Sequence, residues 1–234
     1  MSIITDETSS PTLEAQWLNA VSPEDFIRNS STFNSLMMKY RCAIRQIETK
    51  LQVLNDEFSV TNKRNPISSI KSRVKSPSSI HGKLKRRGFP FTAESIVENL
   101  DDVAGVRVVC PFISDIYAVA QLITSQDDIT VLKIKDYIKN PKENGYRSYH
   151  MIVEVPVYFS NGKEPMRAEI QIRTMGMDFW ASVDHQLHYK KELISGTEVS
   201  SIEQALCLCA ETVNETDRRM EAIKDLIGEF VTEN

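Results

Sequence analysis

The sequence predicts a mixed α/β (α+β) protein: a β-sheet of about five strands flanked by helices, with long helices toward both ends. Three observations carry this. Five short runs, Ile67–Val74, Val103–Cys110, Ile129–Ile134, Met151–Val157 and Met166–Arg173, have the length and β-branched content of strands. Apolar residues recur at helical spacing in the segments before, between and after them. The composition, 41% hydrophobic and 26% charged over 234 residues, is that of a globular chain long enough for a full core.

Composition also excludes some functions. No run approaches membrane-spanning length, and the polar stretch Met1–Thr12 lacks an apolar h-region, so a cytoplasmic protein with no membrane partner is expected. Cys42, Cys110, Cys207 and Cys209 form no C-x-x-C pair and no disulfide framework; they are expected to be reduced and mostly buried. A net charge of −4 argues against a general nucleic-acid coat. The distribution of charge says more than the sum. Between Ser59 and Ala93 there is no Asp or Glu, while Lys63, Arg64, Lys71, Arg73, Lys75, Lys83, Lys85, Arg86 and Arg87 all fall there. Such a field attracts nucleotides or RNA.

Taken in order, residues 1–12 read as a loose tail ending at Pro11. Short helical pieces are expected at 13–20 and 23–29, then a long amphipathic helix over 32–58 carrying Phe33, Leu36, Met37, Tyr40, Ile44, Ile47, Leu51, Leu54 and Phe58 on one stripe. Lys39, Arg41 and Arg45 lie off that stripe, on what reads first as a solvated face. Asn65-Pro66 breaks the helix. The first strand follows and projects Arg73 and Lys75 to one side. Ser76-Pro77 starts a helix that stacks Ser79 and Lys83 at i, i+4 and ends at Gly88. A helix N-terminus beside two cations is suited to phosphate. A further helix over 92–100 leads to Asp102, at the start of the second strand.

That second strand is continuously apolar, as a strand buried on both faces would be, except for Arg107. A guanidinium seldom enters such a run without a partner or ligand. A helix over 114–124 returns to the third strand. The segment Lys135–His150 is basic, punctuated by Pro141 and Gly145, and reads as a functional loop with exposed aromatics; Tyr146 offers a ring for base stacking or for packing in a turn. The last two strands are joined by the turn Ser160-Asn161-Gly162-Lys163, and helices over 175–193 and 200–230 complete the chain.

The final strand organises the rest. Arg167-Ala168-Glu169-Ile170-Gln171-Ile172-Arg173-Thr174 alternates polar and apolar residues, so Glu169, Gln171 and Arg173 share one face. By itself this fits a polar outer face equally well. Two carboxylates on separate strands, Asp102 and Glu169, among many phosphate-seeking cations are harder to dismiss. Mg²⁺ takes oxygen ligands and shares them with substrate phosphates, and phosphoryl-type transfer needs mainly positioning, a metal and positive charge. No G-x-x-x-x-G-K-[ST] or G-x-G-x-x-G loop and no G-x-S-x-G elbow occurs. A nucleic-acid-binding module built on the basic window 59–93 is the rival. It gains nothing from acids near phosphates, which repel unless a metal intervenes.

Four segments in order, Arg73-Val74-Lys75 with Ser79 and Lys83, Asp102-Val103-Ala104-Gly105-Val106-Arg107, Asn144-Gly145-Tyr146-Arg147-Ser148-Tyr149-His150, and Glu169-Ile170-Gln171-Ile172-Arg173-Thr174, resemble the synthetase domain of RelA/SpoT proteins. The resemblance covers residues 59–195, with 13–58 as an N-terminal helical segment and 196–234 as a C-terminal oligomerisation element, and it is to the stand-alone small alarmone synthetases. It implies a nucleotidyltransferase-like sheet and a pyrophosphokinase that moves the β,γ-pyrophosphate of ATP to the 3′-hydroxyl of GDP or GTP. A related enzyme with another nucleotide acceptor remains an alternative. No hydrolase activity is expected, because no His-Asp dipeptide is present.

By the same resemblance, Arg73 and Arg107 would sandwich adenine while Lys75, Ser79 and Lys83 hold ATP phosphates. Asp102 and Glu169 would hold Mg²⁺, and Glu169 would also accept the hydroxyl proton. Tyr146 would stack on guanine; Lys135, Lys142 and Asn144 would meet the acceptor's phosphates; His150 and Gln171 would contribute to the acceptor site. Two positions depart from the family pattern. Ser72 stands where a Gly often precedes the first Arg. Asp178 stands where several relatives have Asn, and is expected to accept from guanine N1–H and N2–H₂. Relatives of this kind form homotetramers, and some bind alarmone or single-stranded RNA as an allosteric partner; Lys39, Arg41 and Arg45 are the nearest residues for such an anion.

Overall fold

The computed structural model describes residues 30–61, 64–191 and 197–232. Its elements in order are α1 (Ser31–Thr61), β1 (Ser69–Val74), α2 (Pro77–Arg87), α3 (Ala93–Asn99), β2 (Ala104–Cys110), α4 (Ile113–Thr124), β3 (Thr130–Asp136), β4 (Tyr149–Phe159), β5 (Gly162–Thr174), α5 (Met175–Lys191) and α6 (Thr197–Thr232). The tail 1–12 and the helical pieces expected at 13–20 and 23–29 lie outside the described residues. No helix among the described residues is long and apolar enough to cross a membrane.

The described residues form two compact units, one of residues 30–38 with Lys75–Leu100, the other of those within Lys39–Val74 with those from Asp101 onward. In the first, Ser76 caps α2 by accepting from the Ser79 N–H at 3.3 Å, Pro77 occupies the first turn, and Gly88 closes the helix at φ +73°. The Arg87 guanidinium donates to the Asn99 carbonyl at the end of α3. Phe91 stacks with Phe33 at 6.0 Å and meets the edge of His81 at 5.4 Å.

The second unit is built on a five-stranded sheet of order β1-β2-β5-β4-β3. β2 and β5 run parallel; the other neighbours are antiparallel. One face is apolar: Val106, Val108, Ala168, Ile170, Ile172, Met151, Val153 and Val155 are almost fully buried, and each large side chain there is worth about 2 kcal/mol of burial. Helix α4 packs on β2 and β5 with Ile116, Val119 and Ile123 buried, and α5 also packs on these strands. A one-residue slip of β5 would put its polar set into this face, so the pattern fixes the register.

Most elements form where the sequence places them, with the hairpin as the main exception. β4 and β5 pair as far as Phe159 and Gly162, leaving a two-residue Ser160-Asn161 loop in place of the expected four-residue turn. Gly162 takes φ +127° there, a conformation L side chains rarely adopt. The strands extend through Lys163, Glu164 and Pro165, which carry no apolar signal, because backbone pairing needs no apolar side chain. The cysteines also differ from expectation. Cys110 is buried, its thiol pushed up to about 12 by burial, but Cys42 and Cys207 are half-buried and Cys209 is exposed. Three of the four therefore lie at or near the surface, because α1 and α6 each bury only one stripe.

Candidate active site

Strand register assembles the site. Residues aligned across neighbouring strands share a face. On the polar face one row runs Lys71, Arg107, Gln171, His150, Lys135, one residue from each of the five strands. The next row runs Arg73, Gly105, Glu169 and Ile152. Glu169, Gln171 and Arg173 therefore share a face as expected. That face is not an outer one, however: β5 is central, leaving Glu169 9% and Arg173 4% exposed.

Glu169 is held at both oxygens. His150 Nδ1 lies 2.9 Å from Oε1, and the Gln171 amide donates to Oε2 at 2.7 Å. Burial pushes the Glu169 carboxyl up, but the hydrogen bond and charge of His150 and the Gln171 hydrogen bond outweigh it, so the net pKa lies below the ordinary 4.5; Asp102 opposes them by like-charge repulsion. The two acids thus sense each other, Asp102 from just before β2 and Glu169 from within β5. Asp102 is half-buried with its Oδ1 shielded from solvent.

His150 Nε2 is 2.8 Å from the Tyr146 hydroxyl, which accepts from Arg173 at 2.6 Å. Arg173 also donates to Gln171 Oε1 at 3.0 Å, Ser148 Oγ at 3.2 Å and Asp178 Oδ1 at 3.3 Å. The same Asp178 oxygen pairs with Arg107 at 3.0 Å. Arg107 is 28% exposed, its Nε is buried with no hydrogen-bond partner, and its guanidinium has a lowered pKa through burial and the nearby Arg173 charge. A cation in that condition gains from an electron-rich ligand.

The loop before β4 is packed, contrary to the exposed aromatics expected from sequence. Tyr146 and Tyr137 are half-buried, and their rings meet each other and His150 edge-on at 5.2–5.9 Å. Burial raises the Tyr146 phenol. Lys142 Nζ sits 4.7 Å from the Tyr146 centroid and 5.0 Å from that of Tyr137. Asn144 Oδ1 accepts the Tyr146 N–H. The turn is clamped by α6: Arg147, itself buried, donates to the Gly145 carbonyl and pairs with Glu211 at 2.9 Å. Thr174 caps α5 by accepting from Met177 N–H and donates to Asp217 of α6 at 2.5 Å. Trp180 donates to the Leu206 carbonyl.

Sequence reasoning missed Ser148, Tyr137, Glu211 and Asp217. Ser148 and Tyr137 lie in segments already singled out; no local signal marks the two acids of α6, which act across a long sequence separation. The remaining expected residues sit elsewhere. Arg73 is exposed on β1, while Lys75, Ser79 and Lys83 belong to the first unit, with Ser79 in the capped first turn of α2. Lys39 is already paired with Glu164 at 2.5 Å and lies over Phe159, whereas Arg41 and Arg45 are exposed on α1.

Among the described residues no group of three or more His, Cys, Asp or Glu side chains forms a metal cage. The Asp102–Glu169 donor set is oxygen-only and electrostatically coupled, and it fits Mg²⁺ sharing its shell with substrate phosphates.

The chain matches the family profile described as the region found in RelA/SpoT proteins over residues 72–193. It is 42% identical to the GTP pyrophosphokinase YwaC of Bacillus subtilis over 188 residues, spanning 80% of this chain and 88% of that one. The structure of small alarmone synthetase 1 from Bacillus subtilis bound to its product pppGpp superimposes with a TM-score of 0.77 at 32% identity, covering 85% of this chain and 99% of that one. Small alarmone synthetase 2 from the same organism gives 0.73 at 40% identity, covering 82% and 98%. Family profile, sequence relatives and structural neighbours agree: the chain belongs to the RelA/SpoT family.

Proposed function

We infer that this protein is a (p)ppGpp synthetase: it transfers the β,γ-pyrophosphate of ATP to the 3′-hydroxyl of GDP or GTP and releases AMP. The observation that carries the reading is Glu169, a buried, ionised carboxylate gripped by His150 and Gln171 beside a second acid, Asp102, on a face otherwise lined with Arg, Lys and Tyr. A binding module for nucleic acid has no use for that pair.

In this reading Asp102 and Glu169 would hold Mg²⁺, which would neutralise phosphate charge and lower the pKa of the attacking hydroxyl. Glu169 receives the proton of that hydroxyl; His150 and Gln171 keep it ionised and aimed. Arg73 and Arg107 take the adenine faces, and Lys75, Ser79 and Lys83 take the donor's phosphates, Ser79 from a helix N-terminus. Tyr146 is the platform for guanine, its hydroxyl pinned by Arg173 and His150 so that the ring is set before the base arrives. A base on the face that Lys142 covers displaces that ammonium toward the acceptor's phosphates, where Lys135 and Asn144 join it. Arg41 and Arg45 are the better-exposed members of the proposed regulatory anion site, and a homotetramer is the proposed assembly.

The test is incubation of purified protein with γ-labelled ATP, Mg²⁺ and GDP or GTP. Labelled ppGpp or pppGpp in step with AMP, and no ADP, is the expected result. Nucleotides bound with intact fold but no product would reject the reading.

A further inference from the structure

Asp102 sits in a stretch that strand pairing does not reach: α3 ends at Asn99 and β2 begins only at Ala104. Leu100 and Val103 are buried on either side and set the path of the backbone. The polar anchor of the stretch is Asp101, whose Oδ1 accepts from Arg167 Nη1 at 2.9 Å. Arg167 lies two residues before Glu169 on β5, hence on the same face of that strand. One guanidinium thus links the strand of the first acid to the residue adjoining the second. Its Nη2 is 4.0 Å from Glu154 of β4. Tyr40 of α1, 2% exposed, closes the cluster; burial pushes its phenol up to about 12, and the charges of Arg167 and Asp101 both act on it. Two features argue against a purely stabilising role for the pair. Arg167 and Asp101 are 29% and 43% exposed, and an ion pair that open to water adds little to stability. Yet Arg167 Nε is buried with no hydrogen-bond partner, a cost that an apolar side chain at this place would avoid.

Resting on the synthetase reading, we propose that Arg167 is a positioning residue for the divalent-cation site: it braces Asp101 against β5, so that the neighbouring Asp102 carboxylate keeps a fixed separation from Glu169. The strand holds Arg167 and Glu169 in one register, and the Arg167–Asp101 pair carries that register across to the stretch before β2. Two acids held at constant spacing take up a metal without first having to be ordered. The brace also brings a positive charge close to a cation site, which by its field alone weakens metal binding. Its benefit is therefore geometric, and the two effects have opposite signs.

Mn²⁺ titrated into the full-length, nucleotide-free protein, with the free ion followed by electron paramagnetic resonance, tests this; the ion lost in Glu169→Gln identifies the site. Arg167→Met, which keeps an unbranched stem and removes the charge, should weaken that site by about 10-fold or more, and Arg167→Lys should recover part of the loss. An arginine acting only through its field would give the reverse, a tighter site once its charge is gone. In the synthesis assay, the Mg²⁺ concentration for half-activation should rise in Arg167→Met, with the rate recovering as Mg²⁺ saturates. A folding defect alone would lower the rate at every Mg²⁺ concentration. Mn²⁺ affinity in Arg167→Met equal to or above that of wild type overturns the proposal. Should that variant fail to fold, Asp101→Asn and Glu154→Gln decide: each removes one acid from beside Arg167, and only the first should weaken the metal site. Equal effects of the two overturn the proposal. Wild type taking up no more Mn²⁺ than Glu169→Gln would instead remove the acid pair as a metal site, and with it the synthetase reading on which the proposal rests.

Discussion

In the proposed mechanism Glu169 concentrates the chemistry in one side chain. Both of its oxygens are held by neighbours that favour the anion, and burial keeps those bonds strong. Glu169→Gln and Asp102→Asn should each lower alarmone synthesis by at least about 10²-fold, with the circular dichroism spectrum of the folded wild type retained. Near-wild-type turnover in either variant would take that residue out of the mechanism. The carboxylate also predicts a pH signature. Its folded pKa lies below the unfolded 4.5, so folding favours the ionised form. The resulting stabilisation is complete above the unfolded value and disappears as pH falls through the folded one. In metal-free protein, the melting-temperature advantage of wild type over Glu169→Gln should be constant near neutrality and shrink once pH drops below 4.5. An advantage that grows on acidification would contradict the assignment.

The loop before β4 and α6 form the most consequential pairing of elements. Gly145 has φ +85°, and a Cβ there would lie 2.6 Å from the Ala210 Cβ, closer than real Cβ atoms come. Both objections apply to Gly145→Ala, which should destabilise the fold by more than about 1 kcal/mol and loosen the Tyr146 platform. Chemical denaturation would show the first effect, and a raised KM for GDP with a smaller change in that for ATP the second. Unchanged stability would mean that α6 yields easily at this point. Gly145 also marks the limit of what sequence conveys. That a turn stands there was legible from Asn144-Gly145, and the face shared by Glu169, Gln171 and Arg173 followed from strand alternation. Neither signal is local for the clamp: Arg147 finds Glu211, and Thr174 finds Asp217, only after α6 has docked. Likewise, the packed state of Tyr137 and Tyr146 is a tertiary outcome, which Gly and Pro in a basic segment hide. The Asp178 bridge needs the β2–β5 register as well as α5, so neighbouring residues gave no hint of it.

At the scale of the molecule, a single sheet presents two faces with separate duties. The apolar face holds the fold, and the polar face gathers residues from all five strands. In the proposed reading Asp102 and Glu169 hold Mg²⁺ for activity and not for the core, so chelation should abolish synthesis while leaving the melting temperature almost unchanged. Restoration of turnover by added Mg²⁺ is the expected companion result; irreversible unfolding on chelation would assign the metal a structural role. The strand order, with β5 inserted between β2 and β4, has a consequence in time. A ribosome delivers β1 and β2 early, and their antiparallel pair then waits with the inner edge of β2 open. The sheet's central strand is the last to be synthesised, and Glu169 arrives with it. A nascent chain therefore holds half of its acid pair on an unfinished sheet, silent toward nucleotides and exposed to mispairing, until the final strand closes the gap.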